Sequence, residues 1–215
     1  MRIMTAAKIV SRLPGAVADL ARDRRGLAAV EFALVVPLML VLFFGALEFS
    51  SGVAVDRKVN LVARTLSDLT TRTLDSVDDN LLKNFFATSA SILMPFDVTP
   101  TQPTLSEVYI DNNNVAKIQW SKSATIAMVG GAPQATLQPS ARSKGDTVAV
   151  PAGLLVPKTY LIWSEVSYTY RPAIGYVMAK AGIPLKNQSY TRPRQSDCID
   201  YPAPVLPALP CTPAP

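Results

Sequence analysis

A single carboxylate, Glu31, stands at the head of an otherwise uncharged apolar run from Leu27 to Leu47. At 1.5 Å per residue, these 21 residues make roughly 31 Å of helix, the hydrocarbon thickness of a bilayer. The run can span. An ionised glutamate in hydrocarbon costs several kcal/mol, so Glu31 needs a partner or a function. A secretory signal to be removed by signal peptidase would have an apolar core of about 7–15 residues followed by a small-x-small site. This run is longer and continues into Glu48-Phe49-Ser50-Ser51-Gly52, so removal of that kind is disfavoured. Arg22, Arg24 and Arg25 precede the run and, by the positive-inside rule, keep residues 1–25 in the cytoplasm and place the chain after about Glu48 on the far side. Arg24-Arg25 could mimic a twin-arginine signal, although nothing downstream resembles a cofactor-loaded enzyme that would need that route. Pro37, mid-span, removes one backbone hydrogen bond; it either kinks and softens the helix or is an ordinary membrane-tolerated proline.

Of 215 residues, the leader and anchor take about 50, which leaves one modest exported domain. The formal charge of +5 invites a nucleic-acid reading. Six basic side chains against Asp19 and Asp23 in residues 1–26 account for most of it, however, leaving 15 basic and 14 acidic side chains elsewhere. The excess charge therefore reads as a topological address, and no nucleic-acid partner is expected. Histidine is absent, which removes the commonest general base and the commonest metal ligand. Cys198 and Cys211 are too far apart for a CxxC redox pair and too few for a zinc site. In an exported domain a disulfide between them is favoured over two free thiols.

Beyond the membrane run, Val55, Val59, Val62, Leu66 and Leu69 recur at alternating steps of four and three, one apolar face of a continuing helix. A helix from Leu27 to about Leu74 would be 48 residues, on the order of 70 Å long. Its stripe is read as packing against the chain's own head. Asp78-Asp79 followed by Leu81-Leu82 and Phe85-Phe86 predicts an acid-capped second helix ending before Pro95. Val108 to Ile110 and Val115 to Trp120 flank Asp111-Asn112-Asn113-Asn114 and predict a hairpin. Thr125 to Val129 and Thr147 to Val150 are shorter strand candidates on either side of a loop from Gly130 to Gly145. Tyr160, Ile162, Val166, Tyr168 and Tyr170 alternate on one face of the best strand, with Ser164 the exception. Seven prolines in the last 24 residues predict a solvated tail without regular structure.

Arg25-Gly26-Leu27-Ala28-Ala29-Val30-Glu31-Phe32-Ala33-Leu34-Val35-Val36-Pro37 resembles the TadE/TadG-like pilus assembly proteins. Gly26 followed by Glu31 and an aromatic at 32 resembles the cleavage signature of type IVb prepilins and pseudopilins of the tight-adherence (Tad/Flp) pilus. Val166 to Pro172 and Tyr190-Thr191-Arg192-Pro193-Arg194 resemble, more loosely, the closing strand and terminal Arg-Pro-Arg of such proteins. The resemblance implies that a membrane-embedded prepilin peptidase cuts after Gly26 and makes Leu27 the first mature residue. It also implies that Glu31 sets helix register and that other pilins and the Tad assembly platform are partners. The free amine left by such a cut could pair with Glu31 of its own chain or a neighbour's, offsetting the burial cost. In an uncut signal anchor, Glu31 would instead snorkel to the cytoplasmic interface.

Pattern and resemblance together predict an α+β chain: a cytoplasmic leader over 1–26, a transmembrane helix over 27–47 and a helical stalk over 48–74. A pilin-like head over 75–194, with a short second helix and an antiparallel sheet, precedes a proline-rich tail over 195–215. The expected function is that of a minor pilin or pseudopilin of the bacterial inner membrane, single-pass with a periplasmic head. The rival is an uncleaved single-span scaffold that recruits partners through its head. No cofactor, metal or small-molecule substrate is expected. Asp111 to Asn114 lacks the Gly and distal Glu of an EF-hand, and Gly130-Gly131 lacks the Lys-Ser/Thr of a phosphate loop. No motif pairs a nucleophile with a base, so an anchored hydrolase is disfavoured and the chain is not read as an enzyme.

Overall fold

The computed structural model describes residues 26–172 and 181–202. The leader and Cys211 lie outside these. The chain divides into two compact units, Met1–Leu47 and Glu48–Pro215. Helix α1, Leu27–Thr71, begins in the first and supplies a core element of the second.

Within the second unit, Val55, Val59, Val62 and Leu66 of α1 are fully buried, as their spacing predicts, in one core with Ile162 and Val166 of the sheet. The helix ends three residues before the predicted Leu74. Thr70 and Thr71 turn their hydroxyls back onto the carbonyls of Leu66 and Asp68, each at 2.9 Å, a competition that weakens helix propagation. Helix α2, Asp79–Ala90, starts where predicted because the Asp78 side chain accepts a 2.7 Å hydrogen bond from the Leu81 amide. Leu82, Phe86 and Ala90 bury its inner face.

Six antiparallel strands form one sheet: β1 Thr101–Ile110, β2 Ala116–Val129, β3 Ala132–Pro139, β4 Thr147–Val148, β5 Thr159–Tyr170 and β6 Ile183–Thr191. Their order is β3-β2-β1-β5-β6, with β4 paired to β2. The β1–β2 hairpin closes as an Asx turn, the Asp111 carboxylate accepting from the amides of Asn113 and Val115 at 2.8 and 2.9 Å. Thr125 to Val129 is not a separate strand but the second half of β2. The expected loop from Gly130 to Gly145 contains β3 instead. Gly130 and Gly131 take φ of 60° and 83°, the left-handed pair that a two-residue hairpin turn needs. Pro133 and Pro139 hid this strand, and an outer position is where a sheet tolerates them.

The sheet has two faces with different coverings. Helices α1 and α2 share the larger core with Leu105, Trp120, Ile162 and Tyr168. Ser164, the polar exception on β5, faces that core and donates to the carbonyl of Ala63 on α1 at 2.5 Å. On the opposite face Val108, Ile118, Leu161 and Trp163 are covered by Val148, Val150 and Leu154 from the β3–β5 connection.

Cys198 to Tyr201 departs from the predicted solvated tail. Ile199 is fully buried, and Cys198 is buried and disulfide-bonded. The Ile199 amide donates to Glu107 Oε1 at 2.7 Å, and Trp120 Nε1 donates to the Ile199 carbonyl at 2.6 Å. Asp200 bridges Ser76 in parallel, its carbonyl accepting from the Val77 amide at 2.9 Å, and the Tyr201 ring lies 5.5 Å from that of Trp120. Burial is the main force pushing the Glu107 carboxyl up from 4.5 to about 8; the Ile199 amide opposes it and the Asp200 charge adds to it.

Glu107 is therefore protonated when folded and ionised when unfolded between about pH 4.5 and 8, so its contribution to stability falls as pH rises through that window. Denaturant unfolding of the wild type should show this decline relative to Glu107→Gln, in which the neutral amide cannot ionise. Parallel pH profiles of the two proteins would contradict the assignment.

Candidate functional site: the N-terminal helix

Gly26 is exposed and forms the turn at the mouth of α1, where its carbonyl accepts the first helical hydrogen bond from Val30 at 3.1 Å. Leu27 is the first helical residue. Glu31 follows one turn later on the same side of the helix, a spacing of four, and Phe32 beside it is 68% exposed. The helix continues through Pro37, which is also exposed. These five residues thus lie along one helix end rather than around a cavity. Cys198 belongs to the head.

Among the described residues, Leu27–Thr71 is the one helix long and apolar enough to cross a membrane. Its most apolar 18-residue window has a mean hydropathy of 2.6, and none of that window is buried within the protein. Leu34, Leu38, Leu42 and Phe43 all present more than half of their surface. So large a contiguous apolar surface requires lipid or other helices around it. The segment is consistent with a single-pass membrane protein.

Glu48, immediately after the run, was not singled out from the sequence. It is only 5% exposed, and Tyr170 Oη donates to its carboxylate at 3.0 Å. Burial first, and then the hydrogen bond to Glu48, push the Tyr170 phenol above its ordinary value, while a hydrogen bond from Ser51 opposes them. The phenol therefore keeps its proton and remains a donor. A signal for Glu48 existed. The stripe of Val55, Val59, Val62 and Leu66 extends backwards at the same alternating steps through Gly52 to Glu48, so the carboxylate falls on the core side of the helix. A Cβ placed on Gly52 would meet the Tyr170 ring at 3.6 Å, an ordinary contact.

The far end of the stripe is held by the Arg-Pro-Arg segment. Arg194 pairs with Asp68 at 2.8 Å, Arg72 pairs with the same carboxylate at 2.6 Å, and the Arg194 amide donates to the Thr71 carbonyl at 3.1 Å. The backbone bond satisfies one of the carbonyls that every helix C-terminus leaves open. Asn187 of β6 accepts from Asn60 and donates to Asp56, adding a polar seam between these ends.

Tyr170→Phe removes a hydroxyl donor to a buried carboxylate and should cost about 1–3 kcal/mol of head stability. Chemical unfolding of the detergent-solubilised chain, followed by tryptophan fluorescence, reads this directly. An unchanged midpoint would show that the bond contributes nothing.

Residues 26–66 match the family described as TadE-like protein, a span that takes in Gly26, Glu31, Pro37, Glu48 and the buried stripe as far as Leu66. No curated protein and no solved structure matches the chain. Over its N-terminal helix, residues 26–66, the chain is similar to the TadE-like proteins.

Proposed function

We propose that the chain is a minor pilin or pseudopilin of a tight-adherence (Tad/Flp) type IVb pilus, processed behind Gly26 by a prepilin peptidase. The apolar half of α1 stores it in the bacterial inner membrane with its head on the periplasmic side, and the same helix then packs against those of other pilins or the assembly platform. The observation that carries this reading is the apolar segment of α1, with no residue buried within the protein and Glu31 as its only charge, within the TadE-like match.

Cleavage of the Gly26–Leu27 bond by water leaves a carboxylate on the leader and an ammonium on Leu27. That amine starts the helix one turn before Glu31. In a bundle it can neutralise the Glu31 carboxylate of its own chain or of a neighbour. A charge-assisted hydrogen bond of this kind is worth about 1.5–3 kcal/mol. An unpaired carboxylate in the same surroundings costs several kcal/mol, so helices staggered to make the pair are favoured over those that miss it. The chain acts in this scheme by assembly and needs no catalytic group of its own.

Mass spectrometry of the protein recovered from membranes of piliated cells should find Leu27 at its N-terminus. An intact arginine-rich leader on the working protein would instead support an uncleaved scaffold. Gly26→Leu should retain the leader. Glu31→Ala should still insert in the membrane yet reduce piliation by roughly tenfold or more, as expected for losing an interaction of at least 1.4 kcal/mol. Normal piliation in that variant would remove the register role.

A further inference from the structure

The outer face of the sheet is only half covered by the β3–β5 connection. The uncovered half forms an open cleft of about 800 Å³ over β2, β1, β5 and β6, lined on one side by Gln138, Ser140 and Arg142. This volume falls within the range of small-ligand sites. We propose that this cleft binds a short stretch of a saccharide chain, a use of the head separate from the helix-borne assembly role and independent of whether the leader is cut.

The lining side chains decide the ligand class. Hydroxyls on the lining are held in place: Thr104 bonds Ser123 at 2.7 Å across β1 and β2, and Ser140 is held from behind by Ser121 at 2.7 Å, itself bonded to the buried Ser106 at 2.7 Å. On the β6 side, Gln188 Oε1 accepts from Trp163 Nε1 at 3.2 Å and from Tyr190 Oη at 3.5 Å, so its carbonyl is occupied and its NH2 is the end left to donate. Arg142 stands 4.0 Å from the centre of the Trp163 ring and is ion-paired with Glu165, which fixes a planar donor at the rim. Fixed hydroxyls, an oriented amide and an Arg–Glu pair can exchange hydrogen bonds with the adjacent hydroxyls of a sugar ring, which both donate and accept.

Other ligand classes fit less well. An extended peptide adding to the sheet needs a free strand edge; β1, β2 and β5 under the cleft each have a neighbour on both sides, and the outer strand β6 carries Pro184. A phosphate group would need uncommitted cations, yet Arg142 is engaged by both Glu165 and Trp163. The remaining cation, the exposed Lys186, suits the carboxylate of a uronic acid and leaves two sources for the same ring chemistry, a neutral or an acidic polysaccharide.

The full chain in phospholipid nanodiscs, free of glycoside detergent, should be titrated with a neutral tetramer of N-acetylglucosamine and an acidic tetramer of galacturonate, with binding read by saturation-transfer NMR and calorimetry. Binding of at least one tetramer in the millimolar range or tighter is expected. Gln188→Leu should weaken it about threefold to tenfold, whereas Gln134→Leu, on β3 outside the cleft, should leave it unchanged. Lys186→Ala, at an exposed position, should weaken the acidic tetramer alone and so identifies the source. Binding of neither tetramer, equal binding by Gln188→Leu and wild type at equal melting temperatures, or preference for an unstructured Ser/Gln-rich peptide over both sugars would overturn the proposal.

Discussion

The stripe that α1 lays across the sheet is the contact on which the head depends. One face of β1, β2 and β5 carries Leu105, Trp120, Ile162 and Tyr168, and a sheet of this kind must hide that face from water. The stripe of α1 covers part of it and α2 covers the part toward β2 and β3. Leu66 alone, if fully removed from water, contributes about 1.5–3 kcal/mol, and three valines bury beside it. The head is therefore not a domain merely attached to a helix. It takes one wall of its core from the same continuous element that presents bare apolar surface over Leu27 to Leu47.

Polar groups determine where that wall sits. Apolar packing alone tolerates sliding, but Ser164 on the Ala63 carbonyl, Asn187 between Asn60 and Asp56, and Tyr170 on Glu48 each accept one register only. Breaking the Ser164 or Tyr170 bond leaves a buried acceptor without compensation, which penalises misplacement more than the bonds reward correct placement. The Cys198–Tyr201 segment is fastened in the same manner from the other side of the core, through Glu107 and Trp120.

How much of this was legible in the sequence depended on the range of the interactions involved. The membrane run, the four-three stripe, the Asp78 cap and the alternating strand at Tyr160 to Tyr170 are local patterns, and each stands where its period placed it. Strand β3 was not legible because its prolines and glutamines carry the composition of a loop; only its outer position in the sheet makes them acceptable. The fastening of Ile199 was hidden because Glu107 lies 92 residues away; the stripe places Glu48 on the core side, but its partner Tyr170, 122 residues away, was not readable from it. The residues at the helix start were readable from a short motif. The cleft was not, since its hydroxyls and amides come singly from several strands and share a surface only after the sheet has formed.

The two outermost strands carry proline, Pro133 and Pro139 on β3 and Pro184 on β6. An imide nitrogen cannot continue a ladder of amide bonds, and its ring obstructs an approaching backbone. A protein concentrated in the plane of a membrane meets copies of itself constantly, which is the circumstance in which unprotected borders fuse into amyloid-like ribbons. Both borders are thereby poor templates, so contacts between copies of the head are turned away from backbone pairing and toward side-chain packing.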